Sequence, residues 1–145
     1  MSANGANGSC LCGAVSFRME FPTKWVAHCH CENCRRSVGA AFVTWASAGE
    51  PQVTIRDPEN CLRWYASSNE AERGFCSRCG SSLFFKSVRW PGEIHIVRAA
   101  FTEPVDRQPQ VHAYYDTHVD WFEVKDDLPK RDDPEKALTK ERSSK

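Results

Sequence analysis

Apolar and small or polar positions alternate from Cys10 onward, with Leu11, Val15, Phe17 and Met19 set against Cys10, Cys12, Ala14 and Ser16. A period of two sends successive side chains to opposite faces of a strand, so this pattern predicts a strand with Cys10 and Cys12 on one face. Phe21-Pro22-Thr23 reads as a turn. A second strand is expected over 25–31, with Trp25, Ala27, Cys29 and Cys31 on one side and His28 and His30 on the other. The segment Glu32–Val38 predicts a short helical turn stopped by Gly39. Further strands are expected at 41–45, 52–56, 62–66, 72–76, 82–88 and 93–99, with late ones at 111–115 and 119–124; Gly and Pro punctuate several gaps. No segment carries a long 3.6-residue apolar period, so the fold class is mainly β with few helical turns.

The two ends of the chain differ from its middle. Residues 1–7 are small and polar and predict a flexible leader. Thirteen of the 21 residues from Lys125 onward are charged, which predicts a solvated, disordered tail over 126–145, with at most a transient helix. A single zinc-binding domain over 8–125 is left between them. A length of 145 residues suits one domain with a modest core. Lysine and arginine total 19 against 19 aspartates and glutamates, so nothing in the net charge points to nucleic acid or an anionic membrane. No apolar run approaches the roughly 20 residues of a membrane span. The first residues have neither a basic start nor an apolar stretch, so no signal peptide is expected and a cytoplasmic location follows.

Eight cysteines then change the picture. In a cytoplasmic chain, closely spaced cysteines suit metal ligation or catalysis better than disulfides. They fall as Cys10-x-Cys12, Cys29-x-Cys31-x-x-Cys34, a lone Cys61, and Cys76-x-x-Cys79 followed by Gly80. A C-x-x-C at a tight turn aims two sulfurs at one ion, and the glycine after it tolerates the positive φ such a turn needs. Cys10 and Cys12 are the natural complement, which would make a closed four-thiolate zinc site from Cys10, Cys12, Cys76 and Cys79. Cys29, Cys31 and Cys34 would then hold a second zinc with its fourth position open, the pattern of a catalytic metal. Swapped pairings, such as Cys10 and Cys12 with Cys29 and Cys31, remain open, as does a single structural zinc. His28 and His30 face away from the sulfurs if the strand persists, so His30 suits an outer hydrogen-bonding role, unless a bend at Glu32 brings it round as a ligand. Cys61 reads as a packed thiol. Arg35 and Arg36 are either a solvated face or the groups that recognise a substrate carboxylate.

The order Gly8-Ser-Cys-Leu-Cys-Gly-Ala-Val, then Cys29-His-Cys-Glu-Asn-Cys-Arg, then Phe75-Cys-Ser-Arg-Cys-Gly-Ser-Ser-Leu resembles the glutathione-dependent formaldehyde-activating enzyme family, which includes the centromere-protein-V-like proteins. The resemblance extends to Tyr65-Ala-Ser-Ser and to Val119-Asp-Trp-Phe with Leu128-Pro129. It implies two packed antiparallel sheets around a zinc site, of the type shared with methionine-sulfoxide reductase B and a small Rab-binding chaperone. It implies two zinc ions per chain, a structural one at Cys10, Cys12, Cys76 and Cys79 and a catalytic one at Cys29, Cys31 and Cys34. It also implies carbon–sulfur lyase chemistry, in which glutathione adds to formaldehyde to give an S-hydroxymethyl adduct. A zinc-scaffold binding module without catalysis is the alternative, and it leaves the surplus three cysteines without a role. A reductase of the methionine-sulfoxide type would need a reactive cysteine outside the zinc sets, and only Cys61 is available.

Overall fold

Residues 4–133 are described by the structure, a computed structural model, as mainly β: ten strands, one α-helix and short 3-10 turns. They divide into two units, 4–26 with 45–108, and 27–44 with 109–133. Strands β3 (Trp25–Cys29) and β4 (Val43–Gly49) run from one unit into the other.

In the first unit, β1 (Gly5–Ser9), β2 (Ser16–Glu20) and β5 (Val53–Arg56) form a three-stranded antiparallel sheet in the order β1-β2-β5. In the second sheet β4 pairs with β9 (Glu93–Val97), β9 with β8 (Ser82–Ser87), β8 with β7 (Ala71–Cys76), and β7 with β6 (Leu62–Ala66), all antiparallel. The inward residues of these sheets make one core. Phe17 of β2 packs edge-on against Phe84 of β8, with centroids 5.6 Å apart, and against Phe101 at 5.0 Å. Met19, Val15, Leu83, Ile94 and Ile96 are buried around them.

From Gly5 onward the expected flexible leader is strand β1. Ala6 is fully buried, and Gly8 is small because its surroundings demand it. A Cβ on Gly8 would lie 2.3 Å from Phe17 Cζ and 2.5 Å from the Ala100 carbonyl oxygen. Small residues here serve close approach between backbones and a ring, which composition alone does not distinguish from flexibility. Residues 1–3 lie outside the described residues.

In the second unit, β3 pairs with β10 (His112–Ala113) in parallel, with His112 opposite His28 and Ala113 opposite Cys29. Helix α1 (Glu32–Val38) follows β3 and ends at Gly39, whose φ of 68° is the left-handed cap expected of it. The 119–124 strand is not formed: Val119 is buried, but Trp121 and Phe122 are exposed and the segment pairs with nothing as a strand. The expected tail is ordered at its start. His112 donates its N–H to the Pro129 carbonyl and accepts from the Arg131 amide, each at 2.8 Å, and Tyr115 N–H donates to the Arg131 carbonyl. The unit therefore continues past residue 125 to Asp133, because backbone pairing is indifferent to how charged the side chains are. The rest of the expected tail, residues 134–145, lies outside the described residues.

Candidate metal centres

The segment from Cys10 to Val15 is a turn and not the strand that alternation suggested. Gly13, at φ 82°, donates its amide to the Cys10 carbonyl at 3.1 Å, and the Val15 N–H donates to Cys10 Sγ at 3.3 Å. The turn still brings Cys10 and Cys12 side by side, with sulfurs 3.7 Å apart. The Cys76–Gly80 turn has the expected form: Gly80, at φ 78°, donates to the Cys76 carbonyl at 2.7 Å. Both turns lie in the first unit, and the four sulfurs of Cys10, Cys12, Cys76 and Cys79 lie within 4.8 Å of one another.

This set fits a zinc ion on two counts. Four thiolates on tetrahedral zinc, with Zn–S bonds of about 2.3 Å, sit about 3.8 Å apart. The Cys10–Cys12 and Cys12–Cys76 separations are 3.7 and 3.8 Å, far too long for a disulfide. N–H groups also converge on the sulfurs, which is how a thiolate's charge is satisfied. The Ser81 hydroxyl, with the amides of Cys12 and Ser81, holds Cys79 down to about 5 against partial desolvation. The Ala14 amide favours the Cys12 thiolate too, but desolvation and the crowding sulfurs of Cys10, Cys79 and Cys76 outweigh it and push that thiol up to about 11.

The second set lies in the other unit. Cys29 ends β3, Cys31 is the N-cap of α1, and Cys34 lies in its first turn, so one strand-to-helix junction delivers all three. Cys31 Sγ accepts the Cys34 N–H at 3.3 Å, and Cys29 and Cys34 sulfurs are 3.5 Å apart. The three lie within 4.8 Å, and among the described residues no fourth Cys, His, Asp or Glu atom joins them. Hydrogen bonds with Cys31 and Cys34, together with burial, hold the Cys29 thiol well above the usual range. A metal must displace that proton to bind.

The arginines differ from one another. Arg35 is half-buried and its Nε donates to the His30 carbonyl at 3.2 Å. Arg36 is exposed and pairs with Glu32 one helical turn away, at 3.6 Å. Such exposed pairs contribute roughly 0.3–0.5 kcal/mol. Cys61 is 8% exposed within the core of the first unit, its N–H bonded to Asp57 Oδ1 at 2.7 Å, and it belongs to neither cysteine set. Replacing it with alanine should cost about 1 kcal/mol and leave metal content unchanged; loss of an ion, by metal analysis, would make it a ligand.

Neither His28 nor His30 joins a sulfur set. His28 and His30 pack with Phe42 and His112, and Tyr115 closes on His30. His112 and Asp126 were not read from the sequence as site residues. His112 stood inside an expected strand with nothing to mark it, and Asp126 inside a tail expected to be solvated.

A protein-family model described as glutathione-dependent formaldehyde-activating enzyme matches residues 5–117. The chain belongs to this family. A Halomonas elongata protein named, provisionally, as a glutathione-dependent formaldehyde-activating enzyme is 32% identical over 124 residues, covering 81% of this chain and 79% of its own. An uncharacterised lyase of Schizosaccharomyces pombe is 37% identical over 78 residues, 54% of this chain and 55% of that protein. The fold is similar to the crystal structure of a Rhodobacter sphaeroides protein, with a TM-score of 0.59 at 22% identity, over 86% of this chain and 98% of that one. The family match spans both cysteine sets, and no helix among the described residues is long and apolar enough to cross a membrane.

Proposed function

We propose that the protein is a zinc-dependent carbon–sulfur lyase that joins glutathione to an aldehyde, with formaldehyde the aldehyde of the family's name. The observation that carries this is the three-sulfur set of Cys29, Cys31 and Cys34, which offers an ion three ligands and leaves a position for an incoming sulfur. The closed set at Cys10, Cys12, Cys76 and Cys79 has the ligand count of a structural site. Zinc at the open set would supply Lewis acidity that keeps a bound thiol as thiolate at neutral pH. The reaction forms one C–S bond, and the thiol proton ends on the former carbonyl oxygen; the reverse direction breaks the same bond.

The chain's own residues hold the reactants. The Cys34 amide fixes the Cys31 sulfur, and α1 fixes Cys34 beside Cys29. Arg35, anchored through Nε to the His30 carbonyl, has its terminal nitrogens to offer a glutathione carboxylate. Arg36, engaged with Glu32 and exposed, is the weaker candidate of the two.

Calorimetry on the zinc-loaded protein tests the reading. Glutathione should bind and S-methylglutathione should not, because methylation removes the thiolate. The glutathione ethyl ester should bind about tenfold more weakly, the equivalent of losing about 1.4 kcal/mol. Arg35→Ala should abolish that difference between acid and ester, and Arg36→Ala should keep it. Equal binding of glutathione and its S-methyl form would overturn the reading.

A further inference from the structure

A third group of potential metal ligands lies in the second unit and contains no sulfur: His28, His112 and Asp126, each offering one atom within 4.8 Å of the others. We propose that these three residues form a binding site for a first-row divalent cation, separate from both cysteine sets.

Three independent features point that way. The first is how the ligand atoms are arranged. His112 Nε2 lies 3.0 Å from Asp126 Oδ1 and 2.9 Å from Oδ2. One N–H shared between two carboxylate oxygens would have this spacing, and so would neighbouring ligands on an octahedral ion, which with bonds of about 2.1 Å lie about 3.0 Å apart. His28 stands beside them, its ring stacked on His112 at 4.9 Å and 29°, because the parallel pairing of β3 with β10 sets these two residues opposite each other.

The second feature is the hold on the far side of each ring. His28 Nδ1 is 2.7 Å from Thr44 Oγ1, which leaves Nε2 for an ion. His112 Nδ1 is 2.8 Å from His30 Nε2, which leaves Nε2 on the Asp126 side. Metal-binding histidines have their second nitrogen held in this way, which fixes tautomer and ring plane. With His112 bound through Nε2, its Nδ1–H donates to His30 Nε2.

The third is charge and access. Among the described residues no lysine or arginine pairs with Asp126; besides His112 it takes the Leu128 amide, at 3.0 Å. Its side chain is 44% exposed where that of His112 is 1% exposed, so the group opens to solvent on the carboxylate side. Two imidazoles and one carboxylate suit zinc, cobalt(II), nickel(II) or iron(II), and three ligands leave positions open for water or substrate.

Cobalt(II) titration of the full chain, its sulfur sites filled first by cobalt in place of zinc, tests this. Cobalt on cysteine gives intense near-ultraviolet sulfur-to-metal absorption; cobalt on imidazole and carboxylate gives only weak visible bands. One equivalent of the second kind is expected beyond those of the first. Asp126→Asn, which keeps size and hydrogen bonding, should weaken that equivalent at least tenfold and leave the sulfur absorption unchanged. His28→Gln should do the same. Absence of a sulfur-free equivalent, or its survival at unchanged affinity in both variants, would mean that His112 and Asp126 share only a hydrogen bond, and would overturn the proposal.

Discussion

Cys76→Ser should leave a chain that melts far below the native one or aggregates on expression, whereas Cys31→Ser should stay folded. Cys76 is fully buried, and its sulfur meets Cys12 at 3.8 Å across 64 residues of sequence. A metal on that set ties two distant turns of the first unit together. Apparent zinc-binding free energies in small domains are on the order of 10 kcal/mol and count as folding free energy, so losing one of four ligands removes much of it. Cys31 differs in place and in what replaces it. It is half-buried at the N-cap of α1, where its sulfur accepts the Cys34 amide, and serine is a favoured N-cap that makes the same bond. Thermal melts of both variants at equal zinc are the measurement. Equal loss would mean that the division into a closed and an open set is wrong.

Phe84→Ala should cost about 3–5 kcal/mol, the range for removing a large buried ring. Phe84 is 1% exposed and touches Phe17 of the three-stranded sheet at one edge and Trp64 of β6, stacked at 6.0 Å and 24°, on the other. Few neighbours can collapse into the hole, since Phe17 is itself held by Phe101. Urea denaturation would read the change. A cost below about 1 kcal/mol would show that the two sheets of the first unit do not depend on this contact.

Much of this fold was legible because local signals agreed. Glu32–Val38 with Gly39 after it, and Leu62–Ala66, lie where the pattern put them. Cys10 and Cys12 show how the right neighbours can be reached for the wrong reason. Alternation implied a strand, but Gly13 bends the chain, and a tight turn and a strand both bring residues i and i+2 to one side. The partition of the cysteines into fours and threes was open from spacing alone, since three-dimensional closure decides which pairs meet. Asp126 lay beyond reach for a different reason. Its segment is strapped to His112 by main-chain bonds through the Pro129 carbonyl and the Arg131 amide, which almost any residue type can supply. The 119–124 segment erred in the opposite sense: a strand was expected there, and Trp121 and Phe122 are exposed.

The 64-residue separation of Cys12 from Cys76 also bears on the order in which the protein acquires its ions. In an unfolded chain the probability that two thiols meet falls with the length of chain between them. Cys29 and Cys34 are only five residues apart, so a free ion reaches that trio, or a single C-x-x-C, long before it can assemble Cys10 and Cys12 with Cys76 and Cys79. Metal supplied from the outset should thus load that trio, or a lone C-x-x-C, before the four-sulfur set can close. Metal withheld until the sheets of the first unit have formed finds four sulfurs already gathered. An ion at that site would then act as a latch closed on a finished topology rather than a seed around which it grows, and refolding yield should depend on when zinc is added as much as on how much.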